Sequence, residues 1–273
     1  MRLVHGLLLG LMVLGLSACQ SFSTPGSGSR SHTLDQIIES GELRIGLSGD
    51  QAPLNMLNKK GEVIGLEVDL IKALANAMGL ETRFVKIPFA ELLPSLEAGK
   101  VDVVISGMTI TPERNSRVAF AGPYLISGKS VLTKSELIAQ IDDPKLLNDD
   151  KRTYVALAGS TSEEFVQDVF PKSRLVVTAD YESAIQMVID DEVDALVADY
   201  QVCSLSVWRH RDQGLLTVRT PFTAEPIGIA LPANAPLFVN LVDNYLETLE
   251  RTGLLGQFKA KWLSDGSWIA KLP

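Results

Sequence analysis

Residues 82–114 read TRFVKIPFAELLPSLEAGKVDVVISGMTITPER, and they decide the fold. Thr82 to Val85 is a β-rich run, Ala90 to Ala98 is helical in spacing, and Val101 to Ile105 is apolar apart from Asp102. A strand, a helix and a strand apolar on both faces are the grammar of a parallel sheet covered by crossover helices. Ser106 then opens a polar turn at the carboxyl end of that strand, where open α/β sheets bind ligands. Thr111 suits a helix N-cap and Pro112 the first helical position. Gly107 lets the backbone approach a ligand closely. Arg114 falls in the first helical turn, where the dipole disfavours a cation, so an anion is expected beside it. A guanidinium binds a carboxylate through two parallel hydrogen bonds. On spacing alone, a structural arginine is an equal reading.

The same alternation extends both ways. Upstream, Leu43 to Leu47 is a short strand leading into the loop Ser48 to Pro53. Val68, Ile71, Leu74 and Met78 then share one helical face, which Gly79 is placed to end. Downstream, Tyr154 to Leu157 predicts a strand, Gly159-Ser160-Thr161-Ser162 a turn, and the stretch through Phe170 a helix. Strand Arg174 to Val177, helix Glu182 to Ile189 and strand Val193 to Val197 follow. Phe89 precedes Val101-Asp102 by the same offset as Tyr181 precedes Val193-Asp194. Superposing these units sets Ser106-Gly107 opposite Ala198-Asp199, each just past a buried strand. Two similar lobes with polar groups at their strand ends are expected, although ordinary βαβ units can coincide in this way.

Taken together, one lobe offers Arg114 and donors to a carboxylate. The other offers hydroxyls and Asp199 to an ammonium. That describes an α-amino-acid site across a cleft. Phe89, which opens a helix, reads more readily as a core residue than as a ligand platform.

The amino terminus reads as an export signal. Arg2 gives a positive start, Gly6 to Leu16 is apolar and uncharged, and Leu16-Ser17-Ala18-Cys19 resembles the bacterial lipobox. Residues 1–18 are therefore expected to be a lipoprotein signal peptide, with Cys19 acylated, palmitate included, and anchored to a membrane. Each buried CH₂ adds about 0.8 kcal/mol, so more than one chain anchors stably. Gln20 in place of aspartate leans towards the outer membrane. An ordinary secretory signal with an incidental cysteine is the alternative. Residues 19–32, rich in Ser and Gly, read as the lipidated terminus and a flexible tether, with folded structure from near Thr33.

A net charge of −8 argues against a nucleic-acid partner, which needs a basic face. With Cys19 assigned to lipid, Cys203 is unpaired and no disulfide framework is expected. Of the three histidines, His5 lies in the signal, His32 in the tether, and His210 in a run with Arg209 and Arg211 that reads as solvated surface. Nucleophilic catalysis and a zinc site lack residues to build them. No metal or cofactor is expected.

These residues also resemble the family 3 extracellular solute-binding proteins, the polar amino-acid receptors of ABC importers. The likeness rests on Gly65-Leu66-Glu67-Val68-Asp69-Leu70, Leu93 to Asp102, Ser106 to Arg114 and Phe120-Ala121-Gly122-Pro123-Tyr124. It continues through Gly159-Ser160-Thr161, Val193-Asp194-Ala195 and Ile227 to Pro232. The resemblance implies a periplasmic-binding-protein type II fold, two α/β lobes joined by two crossing hinge segments. Lobe 1 would be residues 33–126 and 222–273, and lobe 2 residues 127–221. It implies that Arg114 grips an α-carboxylate, assisted by Ser106, Gly107, Thr109, Ser160 and Thr161. Asp199 would hold the α-amino group and Phe89 would pack on the side chain. Amino-acid binders of the family usually carry aromatics at the positions of Gln51 and Leu54. Their absence leaves the side-chain pocket unassigned, with Gln51 or Asn55 as its contacts.

Three roles stay open: a monomeric receptor serving an ABC permease, a module signalling to a membrane sensor, and an enzyme resembling cyclohexadienyl or arogenate dehydratases. The non-enzymatic reading is preferred, because Ala198-Asp199-Tyr200-Gln201-Val202 carries no glutamate to act as an acid.

Overall fold

The structure, a computed structural model, describes residues 32–272. The expected signal peptide, Cys19 and the tether up to Ser31 lie outside the described residues. The first described element is the helix His32–Ser40.

Two five-stranded sheets share one plan. The first runs Glu81–Lys86, Glu42–Leu47, Val103–Val104, Glu225–Leu231, Ala119–Ser127 across its width. Its first three strands are parallel, and Glu225–Leu231 is antiparallel to both neighbours. The second runs Arg174–Thr178, Thr153–Leu157, Ala195–Asp199, Lys129–Thr133, Leu216–Thr217. It has the same sense, with Lys129–Thr133 as the antiparallel member. In each sheet the antiparallel strand is the one that has just crossed from the other lobe. A small antiparallel sheet, Asp50–Gln51, Asn55–Leu57 and Val63–Ile64, sits beside the first.

The internal echo has a structural cause. Asp102 accepts a hydrogen bond from the Arg44 amide at 2.8 Å, and Asp194 accepts one from the Thr153 amide at 2.7 Å. In each lobe, an aspartate ahead of the third strand clamps the backbone of the first. This is why the strands begin later than apolarity predicts, at Val103 and Ala195 instead of Val101 and Val193. Arg44 adds an ion pair to Asp102 at 2.6 Å.

Local signals place the helices. Gly79 caps Leu66–Met78 in the left-handed conformation, φ 71°. Ser160 and Asp180 cap Thr161–Val169 and Tyr181–Ile189 through their side chains. The long helix Pro236–Arg251 buries Phe238, Val242, Leu246 and Leu249 against the first lobe, and Trp262 and Trp268 close the same core. A second cluster fills the outer half of the other lobe. A third draws on both, joining Phe89, Leu92 and Val104 with Leu132, Val155 and Tyr181.

The crossings lie side by side. Ser127 pairs with Glu225 in the first sheet, the Lys129 amide donates to Thr223 Oγ1 at 2.8 Å, and the Phe222 amide donates to the Lys129 carbonyl at 2.7 Å. Gly128 is the point of closest approach, where a Cβ would run into the Thr223 carbonyl. His210, read as solvated surface, is half-buried at the end of helix Tyr200–Arg209.

Candidate functional site

The turn after Val103–Val104 is stitched to the returning crossing. The Ile110 amide donates to the Pro226 carbonyl at 2.8 Å, and the Gly228 amide donates to the Met108 carbonyl at 3.0 Å. Pairing here brings Thr109 against Glu225, whose Oε2 accepts from the Thr109 hydroxyl at 3.2 Å. From the other lobe, Thr161 donates to the same oxygen at 3.1 Å and lies 3.3 Å from the Thr109 hydroxyl. Glu225 thus joins hydroxyls of both lobes.

Arg114 stands where its helix start predicts. Thr111 caps the short helix Pro112–Asn115 by accepting from the Arg114 amide. The guanidinium donates to the Thr109 carbonyl at 3.0 Å and, across the cleft, to the Gly159 carbonyl at 3.0 Å. It lies 5.8 Å from the Phe89 ring centroid and is only 8% exposed. Burial lowers its pKa, opposed by Glu164, Asp199, Glu225 and Glu113. A guanidinium keeps its charge regardless, and three of its N–H groups remain for a carboxylate.

Asp199 is buried at the end of its strand and faces Lys129, the residue after the hinge glycine, at 2.6 Å. Lys129 also reaches Glu225 at 3.0 Å. Burial works against the lysine charge, but the two carboxylates outweigh it and lift its pKa. Burial likewise pushes Glu225 up, and Lys129 together with the Thr223 and Thr161 hydroxyls outweighs this and holds it below the usual glutamate value. The cleft floor is therefore a charged row, Asp199, Lys129 and Glu225, with Arg114 opposite.

Other predicted residues support the site from behind. Ser106 accepts from the Ser48 amide at 3.0 Å and donates to the Ser48 hydroxyl at 3.2 Å. Ser160 caps its own helix and donates to the Leu157 carbonyl, so its hydroxyl is already engaged. Gly107 adopts φ 57°, and a Cβ there would overlap the Gln51 amide. The Gly107 amide is held by Glu67 Oε1 at 2.6 Å.

Sequence reading missed Glu225, Lys129, Glu67 and Asp50. Glu67 is fully buried and accepts from Gly107, from Asn55 Nδ2 at 2.6 Å and from the Tyr124 hydroxyl. Burial raises its pKa against these donors. Asn55 in turn accepts from the Gly49 amide at 2.7 Å, so one carboxyl organises two cleft loops. Asp50 spans the cleft to the Tyr181 amide at 3.0 Å. A lysine opening one strand and a glutamate opening another were the available signals. A cavity of about 350 Å³ lined by Lys134, Thr153, Asp191 and Asp194 opens at the amino ends of the second lobe's strands, away from these groups. No cluster suited to a metal occurs among the described residues.

Two α/β lobes joined by two crossing segments, with polar strand ends meeting between them, define a solute receptor of the periplasmic-binding-protein type II class. Residues 43–265 match the bacterial extracellular solute-binding proteins, family 3, and the chain belongs to that family. An extracytoplasmic location follows. A cyclohexadienyl dehydratase of Pseudomonas aeruginosa is 28% identical over 236 residues, 84% of this chain and 85% of that protein. An ABC transporter arginine-binding protein of Escherichia coli is 27% identical over 225 residues, 81% of this chain and 90% of that one. The crystal structure of an ancestral amino-acid-binding protein, a precursor of cyclohexadienyl dehydratase, superposes with a TM-score of 0.77 at 33% identity, covering 84% of this chain and 99% of that one.

Proposed function

We propose that this chain is a receptor that closes its two lobes around an α-amino acid and passes it to an ABC importer. The observation that carries this reading is Arg114, buried, bridging the lobes and within electrostatic reach of the acids Asp199 and Glu225. Arg114 grips the α-carboxylate through its free N–H groups. Asp199 takes the α-ammonium, sharing Lys129 with Glu225, while Thr109 and Thr161 supply hydroxyls and Phe89 a wall. The lobes divide at residues 127 and 221. Acylated Cys19 anchors a monomer to a membrane, the outer membrane by Gln20. A relative that binds arginine for an ABC transporter supports the reading.

The test is a thermal-shift screen on residues 20–273, unfolded and refolded to remove carried ligand. A native-state ligand stabilises by about 2.7 kcal/mol at a hundredfold excess over Kd. A shift with one or a few amino acids is expected, and a flat response to all of them removes the amino-acid reading.

The likeness to cyclohexadienyl dehydratase supports a second reading, an enzyme in the same cleft. Its candidate acid is Glu164, whose carboxyl burial raises beside Arg114. Measurable turnover of prephenate or arogenate would replace the receptor reading.

A further inference from the structure

Gln51 is 1% exposed, and its Oε1 has no hydrogen-bond partner among the described residues. The adjacent Asp50 Oδ1 is equally enclosed and equally without one, although Oδ2 of the same carboxylate accepts from Tyr181. Buried acceptors without donors are costly, and a charged one most of all. Both lie where the two lobes meet. Tyr181 links them to the rest of the cleft: its amide donates to Asp50, and its hydroxyl pKa is raised by burial first, then by Asp199 and Asp50.

The charges point the same way. Lys129 pairs with Asp199 and Glu225, and Arg114 feels Glu164, Asp199 and Glu225, whereas Asp50 has no cationic partner among the described residues, so the acids of the cleft outnumber its cations. The carboxylate and ammonium common to every α-amino acid cancel. Only a ligand with a further positive charge offsets the excess.

We infer that the ligand is a cationic α-amino acid whose side-chain ammonium or guanidinium is received by Asp50 and Gln51 Oε1, making Asp50 the residue that selects the ligand class. Such a group brings several N–H donors to two adjacent acceptors. This inference rests on the amino-acid reading above and names its substrate class.

Titration calorimetry on ligand-stripped protein tests it, comparing L-arginine and L-lysine with their neutral counterparts L-citrulline and L-norleucine. Arginine or lysine is expected to bind at least about thirtyfold tighter than its counterpart. Asp50→Asn should remove most of that preference, weakening arginine and lysine far more than citrulline. Citrulline or norleucine binding as tightly as the cations would overturn the inference and leave the receptor standing. So would a preference that survives Asp50→Asn. Binding by no amino acid removes both readings together. The wild-type ranking decides the question even if the variant folds poorly.

Discussion

Arg114 is held by two backbone carbonyls from opposite lobes before any ligand is considered, so its loss has separable effects. Arg114→Ala is expected to weaken amino-acid binding by about 2–5 kcal/mol in titration calorimetry, because the ligand carboxylate is left buried and unpaired. Arg114→Lys should recover little, since an ammonium cannot reproduce the planar fork. Lys129 is a different case. Lys129→Met leaves Asp199 and Glu225 buried together without a cation, and is expected to destabilise the fold by about 3–5 kcal/mol in denaturant titration. Glu225 gives this cluster a pH signature. Its folded pKa lies below the ordinary 4.5, so its contribution is complete above that value and is lost as pH falls through the folded one. Glu67, raised by burial, acts in the opposite sense, since its protonation favours the folded form. The wild-type melting temperature should therefore fall more steeply below pH 4.5 than that of Glu225→Gln, and calorimetric scans across that range show the difference.

Among the elements, the crossing segments carry the strictest steric demand. Gly128→Ala sets a Cβ against the Thr223 carbonyl, which belongs to a backbone paired on both sides. The expected cost is about 3 kcal/mol or more by chemical denaturation. Gly256 offers the contrast: it lies in the helix Leu254–Lys259, and a Cβ there meets nothing. Gly256→Ala should stabilise by up to about 1 kcal/mol. The element boundaries also show where sequence reading stops. Gly79, Thr111 and Ser160 are legible caps because a cap depends on neighbours within one turn. The starts of strands Val103–Val104 and Ala195–Asp199 were misplaced because Asp102 and Asp194 reach partners in a different strand.

For the molecule as a whole, closure is the functional variable. The described arrangement is a closed one, tied across the cleft by Arg114 to Gly159, Thr109 to Thr161 and Asp50 to Tyr181. Ligand is expected to shift the population towards it, so small-angle scattering should record a smaller radius of gyration on adding a bound amino acid. An unchanged radius at saturation would mean that closure precedes ligand. By itself, the sequence determined the βαβ alternation, the duplicated lobe and the helix start that carries Arg114, all set by periodicity and short-range capping. Only the tertiary structure decided that Glu225 would meet Thr109, 116 residues away in the chain, and that Lys129 would be the counter-ion of Asp199. Those pairings follow from where two crossing segments bring distant backbone together, and no local pattern encodes that distance.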